Sequence, residues 1–296
     1  MRARRDRVDR VSTWDTVSVS FTLISFHAHP DDEALLTGGT LARASAEGHR
    51  VVLVTATLGE AGLAADLDGA ELAERRRHEL EAAATAVGAA RVVVLGFPDS
   101  GSSGTPPEGS FAALDPSIPA ARLAQVLREE SADVLTTYDV HGGYGHPDHV
   151  QVHRVGLLAA REAGTPVVLE ATIDRRPLQR IARVLARIPR VRRLIPPDHF
   201  AGTYTAHEDL THRIDVRRHL EAKRAALAAH GTQAGGAPVR TVQLLLALPR
   251  PLARRVLGRE WFREVGCAPR PESPSDDVFE SLRTTVGPRT APPADD

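Results

Sequence analysis

Cysteine and lysine each occur once in this 296-residue chain, as Cys267 and Lys223. A single thiol excludes an internal disulfide framework and a metal site built from several thiolates, so any metal site must use histidine and carboxylate side chains. Aromatic residues are also scarce, at 4%. The 37 basic and 38 acidic residues nearly cancel, so the net charge gives no general attraction to nucleic acid or to an anionic membrane.

No stretch of the sequence is long and apolar enough to predict a membrane span. Residues 1–10 are rich in arginine, but the apolar core of a signal peptide does not follow them. Residues 17–26 are too short and too mixed with Ser and Thr to cross a bilayer. Neither GxGxxG nor GxxxxGK[ST] occurs, which argues against a Rossmann dinucleotide enzyme and a P-loop NTPase. We therefore expect a soluble, cytoplasmic protein without nucleic-acid binding or stable membrane insertion.

Apolar segments rich in β-branched residues alternate with alanine-rich amphipathic segments along most of the chain. The pattern predicts strands over residues 17–26, 50–58, 91–97, 133–138 and 167–173, and helices over residues 32–48, 72–87, 120–130, 147–163 and 216–229. A repeated strand–helix order is typical of right-handed βαβ units around a parallel sheet. We expect an α/β protein with a Rossmann-like, three-layer fold and a mainly parallel sheet.

This alternation predicts a single domain over residues 17–266. Residues 1–16 are charged and unpatterned, which predicts a flexible N-terminal extension. Residues 267–296 are dense in Pro, Ser and Asp, which predicts a disordered tail. Within the domain, residues 175–197 form an arginine-rich helical insertion that interrupts the alternation.

The insertion carries eight arginines and no acidic residue between Arg175 and Arg193. A surface for anionic lipid, nucleic acid or an acidic partner would have this composition. An inserted amphipathic helix or lid with a solvated face would have it too. We favour this second interpretation, because arginine is used far more than lysine throughout the chain.

Two short segments concentrate histidine and carboxyl side chains. Residues 27–33 have the sequence HAHPDDE directly after the first predicted strand, and residues 146–149 have the sequence HPDH after the strand over residues 133–138. Ordinary packing has no use for such clusters, because an unpaired charged group is costly to desolvate. Ligands of open α/β sheets bind beyond the carboxyl ends of the strands, where both clusters are expected.

A metal ion held between the two clusters would explain both. Two imidazoles and one carboxylate with open positions are typical of a catalytic zinc site or a non-haem iron site. Asp31 and Asp32 are adjacent and cannot easily both ligate one ion, so one ligand and one base is the more natural division. Hydrolysis and oxygenation both stay open at this point.

The chain resembles the PIG-L/LmbE-like family of zinc-dependent N-deacetylases, which act on N-acetylglucosaminyl substrates. The resemblance covers residues 23–233 and rests on AHPDDE (28–33), GFPDSG (96–101), GHPDH (145–149) and KRAALAAHGTQ (223–233). The GGYGHPDH context is similar to the mycothiol branch, which includes a deacetylase of the inositol-linked N-acetylglucosamine precursor and the mycothiol-conjugate amidase. The resemblance implies an LmbE-like fold and one zinc ion per chain, with Fe²⁺ as the alternative metal.

The motif positions imply roles for particular residues. The resemblance makes His29, Asp32 and His149 the zinc ligands, and Asp31 the general base that activates water. It makes His146 the residue that stabilises the tetrahedral intermediate or protonates the leaving amine.

Further positions have supporting roles by the same resemblance. Tyr144 is expected to polarise the substrate carbonyl, and Arg76 to contact the sugar. Asp148 is placed with Arg76 at the substrate-binding side, where it would orient an imidazole. His27 and Glu33 are expected only to support the site.

The implied function is a zinc-dependent hydrolase that removes an N-acetyl or other acyl group from an N-acetylglucosaminyl-type conjugate. Its partner would be a small amino-sugar substrate, and a homo-oligomer is compatible with the sequence. The alternatives are an amidase of mycothiol S-conjugates and a deacetylase of a secondary-metabolite glycoside. A non-haem iron oxygenase is a more distant alternative.

Overall fold

A computed structural model describes residues 19–61, 69–102, 104–188, 192–193, 196, 198, 200–231 and 237–285 of the protein. The predicted N-terminal extension, residues 1–16, lies outside these ranges.

A seven-stranded sheet runs through the described residues in the order β3-β2-β1-β4-β5-β7-β6. Its strands are β1 (Thr22–His27), β2 (Arg50–Thr55), β3 (Arg91–Val94), β4 (Val134–Tyr138), β5 (Val167–Thr172), β6 (His212–Asp215) and β7 (Arg259–Glu264). Strands β1 to β5 pair in parallel, whereas β7 is antiparallel to both β5 and β6. The expectation of an α/β fold with a mainly parallel sheet is confirmed.

Helices cover both faces of the sheet. They are α1 (Asp32–Leu36), α2 (Gly38–Ala46), α3 (Gly69–Val87), α4 (Ser117–Glu129), α5 (Pro147–Ala163), α6 (Arg175–Leu185), α7 (Leu220–Ala229), α8 (Ala237–Leu246), α9 (Arg250–Val256) and α10 (Glu280–Thr285). Along β1, Leu23 faces a core cluster shared with α2, α3 and α7, whereas Ile24 and Phe26 face a second cluster shared with α4 and α5. This alternation produces the three layers.

Strands β1 and β4 lie side by side at the centre of the sheet, where Leu23 pairs with Val134 and Ser25 with Thr136. From β1 the chain continues outward through β2 to β3, and from β4 it continues to β5 on the other side. The connections therefore reverse direction between β1 and β4. A crevice opens at such a switch point, beyond the carboxyl ends of the two strands.

The single helix predicted over residues 32–48 is wrong, because the segment forms two helices, α1 and α2. The carboxylate of Glu260, from β7, accepts hydrogen bonds from the backbone N–H groups of Gly39 (2.8 Å) and Thr40 (2.7 Å) at the start of α2. A negative group satisfies the free N–H groups of a helix start and complements its dipole. Lys223 Nζ lies 2.6 Å from the same carboxylate, in a pair that is almost fully buried.

The expected disordered tail is ordered over residues 267–285 in the described structure, so that prediction is wrong for these residues. Phe279 is fully buried, and its ring stacks on Phe21 with the centroids 5.1 Å apart. Val278 is buried beside it, in the same core cluster. These two apolar side chains offset the cost of ordering a segment that is otherwise rich in Pro and Ser. Residues 286–296 lie outside the described ranges.

The arginine-rich insertion contains α6, which begins shortly after β5. A side-chain oxygen of Asp174 accepts a hydrogen bond from the backbone N–H of Arg176 and caps the helix. None of the described helices is both long and apolar enough to cross a membrane.

Candidate metal centre

Both histidine-rich clusters lie beyond the carboxyl ends of the central strands. Residues 28–31 connect β1 to α1, and residues 139–146 connect β4 to α5. His146 is the N-cap of α5, and Pro147 occupies its first position. Proline suits this position because its missing N–H would have no partner there. The fold thus brings together two sequence segments at the switch point.

His29, Asp32 and His149 direct one ligand atom each toward a common point. Asp32 Oδ2 lies 3.4 Å from His29 Nδ1 and 3.3 Å from His149 Nε2. These three atoms lie within 4.8 Å of one another.

The chemistry of this trio fits a cation. His149 Nε2 is buried and, although Asp32 Oδ2 lies 3.3 Å away, it makes no hydrogen bond of acceptable geometry with the described residues. A buried polar atom without a partner is costly, and a metal ion ligated by two imidazoles and a carboxylate would satisfy it. Tyr138 holds the ring of His149 by stacking on it, with the centroids 4.4 Å apart.

Asp148 fixes the ring of His29. Its Oδ2 atom lies 3.1 Å from His29 Nε2 and also accepts a hydrogen bond of 3.1 Å from the backbone N–H of Ser100. The His29 proton is therefore assigned to Nε2, which leaves Nδ1 free to face Asp32. A carboxylate behind a ligating histidine sets its tautomer and raises its basicity. Asp148 is fully buried behind His29, and its expected place at the substrate-binding side stays a prediction.

A second group of His29, His146 and Asp148 also brings three ligand atoms within 4.8 Å. Its members already bond to one another, since His146 Nδ1 accepts a hydrogen bond of 3.2 Å from the backbone N–H of Asp148. This bond assigns the proton of neutral His146 to Nε2. Asp148 Oδ1 also lacks a partner among the described residues, but Asp148 Oδ2 is already bonded to His29 and Ser100. We therefore take the trio with His149 as the candidate site.

Asp31 adopts a backbone φ of 109°, which side-chain-bearing residues rarely adopt. The turn is held by Glu33, whose Oε2 accepts a hydrogen bond of 2.9 Å from the Asp31 N–H. Burial, together with the negative charge of Asp32, raises the pKa of Asp31 to about 8. A carboxyl group whose pKa lies near the working pH is suited to general base and acid catalysis.

His146 lies over the trio, with its ring centroid 5.0 Å from that of His29 and 4.8 Å from that of His149. Burial, together with the positive charges that His29 and His149 can carry, lowers the pKa of His146 to about 4. The imidazole is therefore neutral near pH 7 and offers an N–H rather than a charge.

Tyr144 is exposed beside the trio, with its ring centroid 5.1 Å from that of His149. Arg76 lies elsewhere: its guanidinium is buried and Nη1 donates a hydrogen bond of 2.6 Å to the carbonyl of Gly59, in the loop after β2. A Cβ atom on Gly59 would lie 1.8 Å from that nitrogen, so the close approach requires glycine. Arg76 shapes the loop, and its contact with a sugar stays a prediction.

His27 supports the fold rather than the trio. It is buried, and its Nε2 lies 2.8 Å from Ser25 Oγ and 3.1 Å from Thr37 Oγ1. Burial lowers its pKa to about 4, so it is neutral in the folded protein.

Sequence reasoning missed three neighbours of the site. Asp99, within the GFPDSG motif, places Oδ1 3.5 Å from His29 Nε2. Its motif was a usable signal, because an aspartate follows a predicted strand there. The stacking of Tyr138 had no such signal, since a tyrosine that ends a strand resembles an ordinary core residue. His230, whose Nε2 lies 2.6 Å from Glu33 Oε1, had no local signal either, because its partner lies 197 positions away in the sequence.

Comparison with known proteins identifies the family. The family described as GlcNAc-PI de-N-acetylase (PIG-L) matches residues 24–160. A 1D-myo-inositol 2-acetamido-2-deoxy-alpha-D-glucopyranoside deacetylase of Thermobifida fusca is 38% identical over 287 residues, covering 87% of this chain and 98% of the relative. The chain belongs to the PIG-L family. A relative with the same activity in its name, from Catenulispora acidiphila, is 36% identical over 304 residues, covering 92% of this chain and 98% of its own.

Solved structures show the same fold at lower identity. The N,N'-diacetylchitobiose deacetylase of Pyrococcus horikoshii has a TM-score of 0.55 at 22% identity, covering 83% of this chain and 84% of its own. The 4-carboxy-2-hydroxymuconate hydratase of Pseudomonas putida has a TM-score of 0.57 at 17% identity, covering 86% of this chain and 100% of its own. Because a hydratase shares the fold, the fold alone does not select the reaction. Membership of the PIG-L family selects the reaction, because its named relatives are deacetylases. This chain is an amide hydrolase of the deacetylase class.

Proposed function

We propose that this protein is a zinc-dependent N-deacetylase that releases acetate from an N-acetylglucosaminyl conjugate. The observation that carries the proposal is the unsatisfied, buried Nε2 of His149 facing His29 and Asp32, with His146 beside them and with Asp31 close enough for the charges of Asp32 and His29 to act on its pKa. The names of the relatives support inositol-linked N-acetylglucosamine as the first substrate to test.

Each side chain has a task in this reaction. When bound, zinc would polarise the amide carbonyl and lower the pKa of a water molecule toward neutrality. Asp31 accepts a proton from the attacking water at its carboxylate and later returns it to the leaving amine. His146 donates a hydrogen bond from Nε2 to the carbonyl oxygen as negative charge develops there. Tyr144, at the exposed side, offers its hydroxyl to the same oxygen.

The backbone of the site keeps these groups in place. Asp31 cannot swing away, because its strained turn is fixed by the Glu33 carboxylate, and His146 is tied to the first turn of α5. Groups held in position in advance lose little freedom at the moment of reaction, which is a large part of enzymatic rate enhancement. The Asp148 carboxylate serves the same purpose for His29.

The test measures acetate release by the zinc-loaded protein from inositol-linked N-acetylglucosamine and from free N-acetylglucosamine. In Asp31→Asn, kcat should fall by about 10²–10⁴-fold, the range for removal of a general base, while the zinc content stays at one per chain. Acetate release at the unmodified rate in this variant would show that the base is misassigned. Full activity after the metal is chelated would overturn the proposal itself.

The same purified protein distinguishes deacetylation from the alternative activities. Mycothiol S-conjugates and acylated glycosides belong in the substrate panel, because each would be cleaved at an amide by the same groups. Loading with Fe²⁺ and assaying without oxygen distinguishes hydrolysis, which needs no oxygen, from oxygenation, which does. We expect acetate release to be independent of oxygen.

A further inference from the structure

The arginine-rich segment is joined to the loops beyond the carboxyl ends of the strands, where the candidate metal centre lies. Helix α6 starts at Arg175, whose backbone N–H donates to the carbonyl of Thr205 at 3.2 Å. The chain returns through Tyr204, whose backbone N–H donates to the carbonyl of Gly143 at 2.8 Å, in the loop that precedes His146. The start of the segment and the chain that follows it are thus bonded to each other and to the loop beside the site.

One face of α6 packs on the protein. Ala182 is buried, and Leu178 and Leu185 are half-buried on the same side of the helix. Positions three and four residues apart share a helical face, so these residues form the stripe by which α6 is attached.

A second face of α6 is apolar but open to solvent. Ile181 and Val184, three residues apart on α6, are exposed to 55% and 56%. Ile188, exposed to 52%, lies in the turn after the helix, where its backbone N–H donates to the carbonyl of Leu185 at 3.0 Å. Scattered exposed apolar side chains are normal on protein surfaces, whereas neighbouring ones that form a contiguous patch point to an interaction surface.

A row of arginines borders this apolar row. Arg180, Arg183 and Arg187 are exposed and follow the same spacing, one position before each exposed apolar residue. No acidic residue lies between positions 175 and 193. The local charge is therefore strongly positive, although the whole chain carries a formal charge of only -1.

The two rows together match the chemistry of an anionic bilayer surface. An interfacial helix buries a row of apolar side chains at the boundary of the acyl chains and directs arginines to the lipid phosphates. Attraction to an acidic protein or to nucleic acid would account for the arginines but not for the exposure of three β-branched side chains among them. No described helix can span a membrane, so the contact would be peripheral.

We propose that the exposed face of α6 and of the turn that follows it, with Ile181, Val184 and Ile188 beside Arg180, Arg183 and Arg187, docks this protein on anionic phospholipid membranes. The chain that enters and leaves this segment is bonded beside the candidate metal centre, so docking would hold the site close to the bilayer. The proposal is independent of the reaction that the metal centre catalyses.

The test is flotation of the full-length protein with vesicles of phosphatidylcholine alone and with about one third phosphatidylglycerol. We expect binding to the anionic vesicles only, weakened by salt. Since each arginine contributes about a fivefold effect near such a surface, Arg180→Gln/Arg183→Gln should lower the partition coefficient by about 25-fold. Ile181→Ser/Val184→Ser should also weaken binding, and by a factor that high salt leaves unchanged.

The matched control is Arg154→Gln/Arg161→Gln, which removes the same charge from exposed positions on α5. It should change the partition coefficient less than twofold, and circular dichroism should show that all variants are folded. Equal losses in the control and the α6 variants, or no binding of the unmodified protein to anionic vesicles, would overturn the proposal. Binding to soluble polyglutamate without binding to vesicles would overturn it in favour of an acidic protein partner.

Discussion

His230 and Glu33 form a buried hydrogen bond of 2.6 Å between Nε2 and Oε1, across 197 residues of sequence. The other oxygen of Glu33 accepts a hydrogen bond from the backbone N–H of Asp31. Burial disfavours a charged imidazole, but the Glu33 carboxylate outweighs it and raises the pKa of His230. The C-cap residue of α7 thus stabilises the turn that carries the proposed base.

We expect His230→Asn to lower kcat by about 10–100-fold, the usual effect of removing an outer partner of a metal site, while one zinc per chain is retained. Asparagine is too short to reach Glu33, so Asp31 would lose the support of its turn. The measurement is steady-state acetate release together with metal analysis. The control is His78→Asn on the exposed face of α3, which should leave kcat unchanged. Loss of zinc from the His230 variant would contradict this assignment.

Asp148→Asn should weaken zinc binding by about 10–100-fold, because the carboxylate that sets the tautomer of His29 is removed. Competition with a chromophoric chelator measures the change in Kd. Asp115→Asn, at an exposed position before α4, is the matched control and should leave the Kd unchanged. An unchanged Kd in Asp148→Asn would mean that His29 needs no partner on Nε2.

Gly142→Ala should disrupt the metal centre more than Gly145→Ala. Both glycines have positive φ, so both substitutions introduce backbone strain of about 1–2 kcal/mol. A Cβ on Gly142 would also lie 2.5 Å from Val150 N and 2.9 Å from His149 Cβ, whereas a Cβ on Gly145 meets nothing within 4 Å. Urea unfolding and zinc titration of both variants check this. Similar zinc affinities would show that the loop relaxes without moving His149.

Lys223→Met should destabilise the domain by about 3–5 kcal/mol, because it leaves the buried Glu260 carboxylate without its cation. The comparison variant is Arg250→Met, whose ion pair with Glu221 is highly exposed and should contribute less than about 1 kcal/mol. Both values come from urea unfolding at pH 7.5. A small effect in Lys223→Met would indicate that the helix start of α2 satisfies Glu260 without the lysine.

Stability should fall below about pH 6.5, partly through His49, remote from the metal centre. His49 Nδ1 accepts the backbone N–H of Phe21 at 3.1 Å, and burial together with Arg283 lowers the pKa of His49 below its ordinary value of 6.5. A histidine with a lowered folded-state pKa contributes stability above the unfolded-state pKa and loses it as the pH falls toward the folded-state value.

His49→Gln should therefore show a shallower decline of unfolding free energy between pH 6.5 and 5 than the unmodified protein. The exposed His78→Gln should keep the unmodified slope. Parallel slopes in the unmodified protein and His49→Gln would remove His49 from the acid response.

The sequence was most informative where local signals agree. Helix α5 has the predicted bounds, because Pro147 marks its start and Gly164, in the left-handed conformation, marks its end. The clusters at residues 27–33 and 146–149 were expected at one edge of the sheet because parallel strands end together there. The grouping of ligands thus followed from topology.

The parts that could not be predicted depend on distant partners. Two of the three buried positions of β7 are occupied by Glu260 and Glu264. The sequence of β7 therefore lacks the alternation of apolar and polar residues that predicts a strand. The break between α1 and α2 depends on Glu260, which lies 220 positions away from Thr40. The ordered conformation of residues 267–285 depends on the stacking of Phe279 on Phe21. Each of these contacts is invisible to a local pattern.

The pairing of β1 with β4 also sets an order of events in the cell. The contact between His29 and Asp148 spans 119 positions, so a ribosome exposes His29 and Asp32 well before it has made His149. A nascent chain that ends after β3 holds only two of the three proposed ligands. Since a metal site rarely exists in an unfolded chain, metal binding at the proposed centre should follow translation of α5 and not accompany the first strands. The folded domain, and not the nascent chain, is therefore expected to take up the metal.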